Sequence, residues 1–132
     1  MPDGMEDLYE LQHTWLNSEP RECLRGACHV TSKHHAIELF DLTDPELLGV
    51  MREVAVYARA LLTVTGAVKI NYEIHGNTIP HLHVHLYPRY RDDPYAGKAI
   101  DYSARLPDLY GEGEYRSFVA AMRAEIARLT DA

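Results

Sequence analysis

The chain has 132 residues, the length of one domain, and sets 20 acidic residues against 13 basic ones for a formal charge of −7. Non-specific nucleic-acid binding depends on Lys and Arg neutralising phosphates, so this balance excludes a nucleic-acid partner, while a small phosphate ligand in a local pocket stays open. No apolar run approaches the ~20 residues of a membrane span. The acidic opening MPDGMEDLYE lacks the apolar core of a signal peptide, and two cysteines, Cys23 and Cys28, make no disulfide framework. The expectation is a soluble cytoplasmic protein with no membrane partner.

The first 25 residues carry little pattern beyond a short strand around 13–17 and a loop over 18–25. Residues 26–32 read as a strand. Lys33-His34 turns the chain, and 36–40 leads into a helix. Thr43-Asp44-Pro45-Glu46 is a capping box with Pro in the first turn. Leu47, Met51, Val54, Ala58 and Leu61 then recur at helical spacing, and Gly66 is the stop. A strand over 68–74, a tight turn at His75-Gly76-Asn77 and a strand over 79–87 follow, the last ended by Pro88, which cannot donate to a sheet. Residues 90–112 form a long, turn-rich excursion. A final helix sets Phe118, Met122, Ile126 and Leu129 on one face and Arg116, Arg123 and Arg128 off it. This order is α+β in one domain, with strands joined by short turns pairing antiparallel. Leu82, Val84, Leu86, Ile70 and Tyr72 are expected to pack under the first helix.

Within HLHVHLYPRY, His81, His83 and His85 stand at every second position. A strand has a side-chain period of two, so the three imidazoles share one face, roughly 6–7 Å apart, and turn away from the helix. That is close enough to serve one small anionic group, given a wall supplied by loops or a second subunit. Three readings compete: a His-rich surface strand, a His-x-His metal site, and a phosphoryl-transfer site in which each ring donates, accepts or carries a proton near neutral pH. His34 and His35 read as turn residues, and His13, His29 and His75 as structural or solvated. Arg89 and Arg91 read as solvent-facing. Tyr90, Tyr95, Tyr102 and Tyr110 read as packing anchors or as walls of a base pocket.

HLHVHLY resembles the His-φ-His-φ-His-φ-φ signature (φ apolar) of the histidine-triad family at every position. The likeness extends upstream through GNTIPHLHVH and RGACHVTSKHHAIELFDLTDPE and downstream into PRYRDDP, covering roughly residues 23–94. The resemblance implies a five-stranded antiparallel sheet with two helices, extended across a homodimer. It implies hydrolysis or transfer at the α-phosphate of a nucleoside phosphoramidate or dinucleoside polyphosphate, through a covalent nucleotidyl-histidine. The same resemblance makes His83 the nucleophile. His85 then contacts the phosphate and leaving-group side, and His81 orients the site, in part through its backbone carbonyl. Asn77, Thr78 and Asn71 fall to phosphate and Asn17 to the ribose. The implied ligand is a purine nucleotide. No cofactor is required, although a divalent cation can enter bound to a polyphosphate. A binding-only relative is the alternative.

Two departures stand out. Ala27 occupies the position where relatives carry a histidine near the start of a strand, so any relay or positioning it supplies is absent or replaced. Cys23 and Cys28 lack the Cys-x-x-Cys spacing of the zinc pair found in some bacterial members, so no metal site is predicted there. On chemical grounds the nucleophilic imidazole must be neutral and its partner protonated, which predicts a bell-shaped pH profile.

Overall fold

The computed structural model describes residues 5–76 and 79–131. Five strands form one sheet: β1 (Glu6–Glu10), β2 (Thr14–Ser18), β3 (Cys28–Ser32), β4 (Lys69–Ile74) and β5 (His83–Arg89), in spatial order β1-β2-β3-β5-β4. Every pairing is antiparallel. Two helices, α1 (Asp44–Thr65) and α2 (Glu114–Thr130), complete the expected α+β architecture. Neither is long and apolar enough to cross a membrane.

The helix α1 begins as its sequence dictates. The Thr43 side chain accepts from the Glu46 backbone N–H, and the Glu46 carboxylate accepts from the Thr43 N–H at 2.8 Å. Its end is Gly66 at φ 68°, a left-handed cap that costs glycine nothing. The buried stripe is Val50, Val54, Tyr57, Ala58 and Leu61, and Met51, expected on it, is exposed. Tyr57, too polar at its tip to count as a core marker, takes the central place with its hydroxyl near Thr14. In α2, Tyr115, Phe118, Val119, Met122 and Ile126 are buried. Arg123 ties that helix to β1 by donating to the Leu8 carbonyl at 2.9 Å.

Period-two alternation divides the sheet into two faces. Leu8, Leu16, Cys28, Val30, Val84 and Leu86 lie in the core with the helices. Trp15, Asn17, His29, Thr31, His83 and His85 lie on the other face. Tyr72 was expected in the core but is half exposed, because β4 is the sheet edge and only Ile70 of that pair is buried.

Two strand readings need correction. β1 went unread because its five residues, EDLYE, bury only Leu8 fully, while three carboxylates cover an edge that would otherwise invite pairing. Pro88 does not end its strand, which runs to Arg89. The Arg89 carbonyl accepts from Val68 on the β4 side, so the nitrogen of Pro88 faces the β3 side. Pairing with β3 has already stopped at Leu86, so no ladder bond is lost there. Gly26, at φ 83°, passes over this point, where a Cβ would meet the Pro88 ring at 2.9 Å. The segment 36–40 leads into a short 3-10 turn over Leu39–Asp41 rather than directly into the helix.

The excursion after β5 folds back over the histidine face. Cys23, Leu24, Ala27, Tyr87 and Ile100 form a second, smaller core beneath it. Asp93 organises its start: Arg89 donates to the carboxylate at 2.8 Å, and the Tyr90 and Tyr95 N–H groups donate at 3.0 and 2.8 Å. Arg89 therefore does not face solvent as its position beside a turn suggested.

Candidate active site

A cleft of about 740 Å³ opens on the helix-free face of the sheet. His81, His83 and His85 line its floor, and the excursion supplies Tyr102, Ser103 and Arg105 as a wall. The wall anticipated from a loop or a second subunit thus comes from this chain.

His83 is the most defined of the three. Its Nδ1 donates to the His81 carbonyl at 2.7 Å, two residues back along the chain. That bond places the ring proton on Nδ1 and leaves Nε2 as the lone-pair nitrogen available to the cleft. His81 lies just before β5 begins, and its own Nε2 donates to the Ser32 carbonyl at 2.8 Å. The backbone between them is held on both sides, with Leu82 donating to the Ala36 carbonyl and accepting from Ser32. The period-two argument therefore succeeds for the rings although only His83 and His85 sit within the regular strand.

Burial holds the His83 ring below the ordinary imidazole range, against the opposing pull of the His81 carbonyl, and the neighbouring imidazoles His29, His75 and His81 add to the depression. His85 is pushed down to about 3, first by burial and then by His29, His83, His75 and Arg105. Burial thus lowers the proton affinity of both rings in the unliganded cleft, and the lowered His83 gives the acidic limb of the predicted bell a source.

Two histidines read as structural or solvated belong to this cluster. His29 is buried at 8% exposure and stands directly opposite His85 in the β3–β5 register, with ring centroids 4.6 Å apart at 64°. His75 lies 4.8 Å from His85 and stacks on Tyr102 at 4.4 Å. Ala27 is buried in the smaller core, two residues from His29 on the same face. An imidazole absent at 27 is followed by one at 29 on the same face, opposite His85. Period-two spacing from Ala27 was a signal for it in the sequence, but only the strand register reveals its partner.

The other named candidates divide. Asn17 lines the cleft, accepts from the Thr31 hydroxyl at 2.7 Å and donates to Asp7. Asn71 does not line the cleft; it accepts from Arg89 at 2.9 Å. Asn77 and Thr78 lie outside the described residues. Of the tyrosines, Tyr102 walls the cleft, whereas Tyr90, Tyr95 and Tyr110 anchor loops through the Arg25 carbonyl, the Cys23 carbonyl and the Gly26 N–H. Cys23 and Cys28 are free and buried, and burial pushes the Cys23 thiol up to about 12.

Comparison with known proteins agrees with this geometry. The model of the HIT domain matches residues 9–92. No curated protein matches the chain. Among solved structures, a histidine triad protein of Bradyrhizobium japonicum superposes with a TM-score of 0.82 at 24% identity, covering 94% of this chain and 92% of that one. A histidine triad (HIT) protein of Sinorhizobium meliloti gives 0.78 at 25% identity, covering 92% and 90%. One from Marinobacter aquaeolei gives 0.78 at 19%, covering 96% and 92%. The domain match spans more than half of the sequence and carries the three histidines of the cleft floor, so this chain belongs to the histidine triad family.

Proposed function

We propose that the protein is a nucleotide hydrolase or transferase acting at the α-phosphate of nucleoside phosphoramidates or dinucleoside polyphosphates, with His83 becoming transiently nucleotidylated. The observation that carries this reading is the 2.7 Å bond from His83 Nδ1 to the His81 carbonyl. An imidazole attacks phosphorus through a neutral nitrogen, and the cation that forms is stabilised if the other N–H already has an acceptor. A carbonyl serves without placing a negative charge beside an anionic substrate.

In the forward step the His83 Nε2 lone pair forms a bond to the α-phosphorus, and the bond to the leaving group breaks with its electron pair on that group. Water then bonds to the same phosphorus and gives up a proton to solvent, the bond to Nε2 breaks with its electron pair returning to His83, and the nucleoside monophosphate is released. His85, whose proton affinity burial lowers in the empty cleft, gains basicity when a phosphate anion arrives beside it, and then holds a proton on the leaving-group side. Asn77 and Thr78 are assigned to phosphate by the family pattern, and Asn17 to the ribose of a purine nucleotide; Asn71, the third phosphate candidate of that pattern, is bonded to Arg89 outside the cleft. The reading asks for no resident cofactor; a divalent cation enters with a polyphosphate. Leu48, Met51 and Leu62 on α1 and Val68, Tyr72 and Ile74 at the β4 edge are exposed apolar side chains, which supports a homodimer through that side.

The test is incubation of the protein and of His83→Ala with an adenosine phosphoramidate and with diadenosine tetraphosphate, followed by chromatography and by intact mass after acid-free quenching. Nucleotide release that requires His83, with a trapped adduct, is the expected result. Nucleotide binding without release by the wild type would instead mean a binding module.

A further inference from the structure

Glu22 and His29 are buried polar side chains at the base of the cleft, at 2% and 8% exposure, and the nucleophilic step leaves both without a task. A buried carboxylate is costly and persists when a partner offsets its lost hydration. Here His29 Nε2 lies 3.1 Å from Glu22 Oε1, at ion-pair distance although not aligned as a hydrogen bond. The carboxylate is also held in place from its backbone: the Leu106 N–H donates to the Glu22 carbonyl at 2.9 Å, joining the β2–β3 loop to the excursion that walls the cleft.

The three motif histidines differ in what orients them. His81 and His83 each donate to a backbone carbonyl. The Nδ1 of His85 is buried with no hydrogen-bond partner among the described residues. Its ring is held by four other rings: His29 edge-on at 4.6 Å, His75 at 4.8 Å, His83 at 4.9 Å, and Tyr87 stacked at 5.7 Å. Two of these have a carboxylate behind them, His75 the half-buried Glu73 and His29 the fully buried Glu22.

We propose that Glu22 and His29 form a positioning pair for His85, the carboxylate fixing the His29 ring and the ring fixing His85 on the leaving-group side of the cleft. This rests on the nucleotidyl-transfer reading above, but the pair itself is measurable without turnover. The carboxylate favours a proton on His29 Nε2, so the imidazole ¹⁵N spectrum of the wild-type protein at neutral pH should show that nitrogen protonated. An unprotonated His29 Nε2 overturns the proposal, whatever the enzyme does.

Turnover supplies the second arm. Glu22→Gln preserves shape and removes the charge. It should lower kcat about 10- to 100-fold, the scale of a misplaced reacting group, with KM held within about twofold. In a His85→Ala background the same substitution should do nothing further, because its effect passes through His85. Equal losses in both backgrounds, or a loss confined to thermal stability, overturn the proposal. A wild-type protein that turns over neither substrate sinks the nucleotidyl-transfer reading instead, and the ¹⁵N spectrum still decides whether the pair exists.

Discussion

Seven of the chain's eight histidines gather in two neighbourhoods that use the same side chain for opposite ends. In the cleft, five rings stand together, three of them held by hydrogen bonds to the Ser32 and His81 carbonyls and to Glu73. At the far side, His13 and His34 are bonded to each other and to the start of α1. His13 Nδ1 and His34 Nε2 are 2.8 Å apart, His34 Nδ1 is 3.1 Å from Glu46, and the His13 backbone N–H donates to both oxygens of Glu53 at 3.0 and 3.1 Å. Gly49 leaves the slot into which the His13 ring fits. The far cluster spends its hydrogen-bonding capacity on joining the β-sheet to the start of α1. The cleft cluster keeps at least one lone pair, on His83, unspent. The difference lies in what the rings face, each other and the start of α1 in one cluster and an open cleft in the other, not in the histidine itself.

The comparison is broken most severely at His83. His83→Ala should cost at least about 10³-fold in kcat, as loss of a nucleophile does, without loss of the fold. Finding the same loss in His13→Ala, measured per folded molecule, would erase the distinction between the clusters.

The pH behaviour tests the cleft next. Because the His83 pKa is lowered in the folded protein, its neutral form persists below the usual imidazole range, and kcat/KM for the free enzyme should fall only as pH drops through that depressed value. His85 binds a proton in the unfolded chain near pH 6.5 but only near about 3 when folded, so its contribution is destabilising as pH falls below 6.5. By linkage the loss at pH 5 is on the order of 2 kcal/mol. Urea unfolding at pH 7.5 and 5 should show that sensitivity shrinking in His85→Asn.

Gly49→Ala probes the far cluster. A Cβ there would sit 2.4 Å from His13 Nε2, forcing the ring out of its bond to His34. The expected cost is about 1–2 kcal/mol, after the roughly 1 kcal/mol that alanine gains over glycine in a helix. Activity per folded molecule should be kept. The smallest effect is that of Thr43→Ala, which removes the cap of the helix bearing Glu46. Calorimetric melting should show about 1 kcal/mol lost.

Local patterns made much of this legible. The alternation of His81, His83 and His85 with apolar residues placed the rings on one face, because strand geometry alone dictates it. The Thr43–Glu46 box and Gly66 bounded α1, because caps are satisfied by neighbours in sequence. Tyr57 and Met51 show the limit: which side of a helix is buried within one residue's rotation depends on what packs against it. β1 shows another, since an edge strand coated in carboxylates shows no alternation of apolar and polar residues until a sheet exists for it to edge.

By itself, then, the sequence determined the histidine row, the capped helix and the family to which the chain belongs, each encoded within a few consecutive residues. Only the tertiary structure decided that His29 faces His85, that Glu22 stands behind it, and that Tyr102 walls the cleft with His75. It also decided that His83 and His85 are buried enough to lower their affinity for a proton. Those facts join residues separated by tens of positions through strand register, loop closure and burial, and no local spacing carries that information.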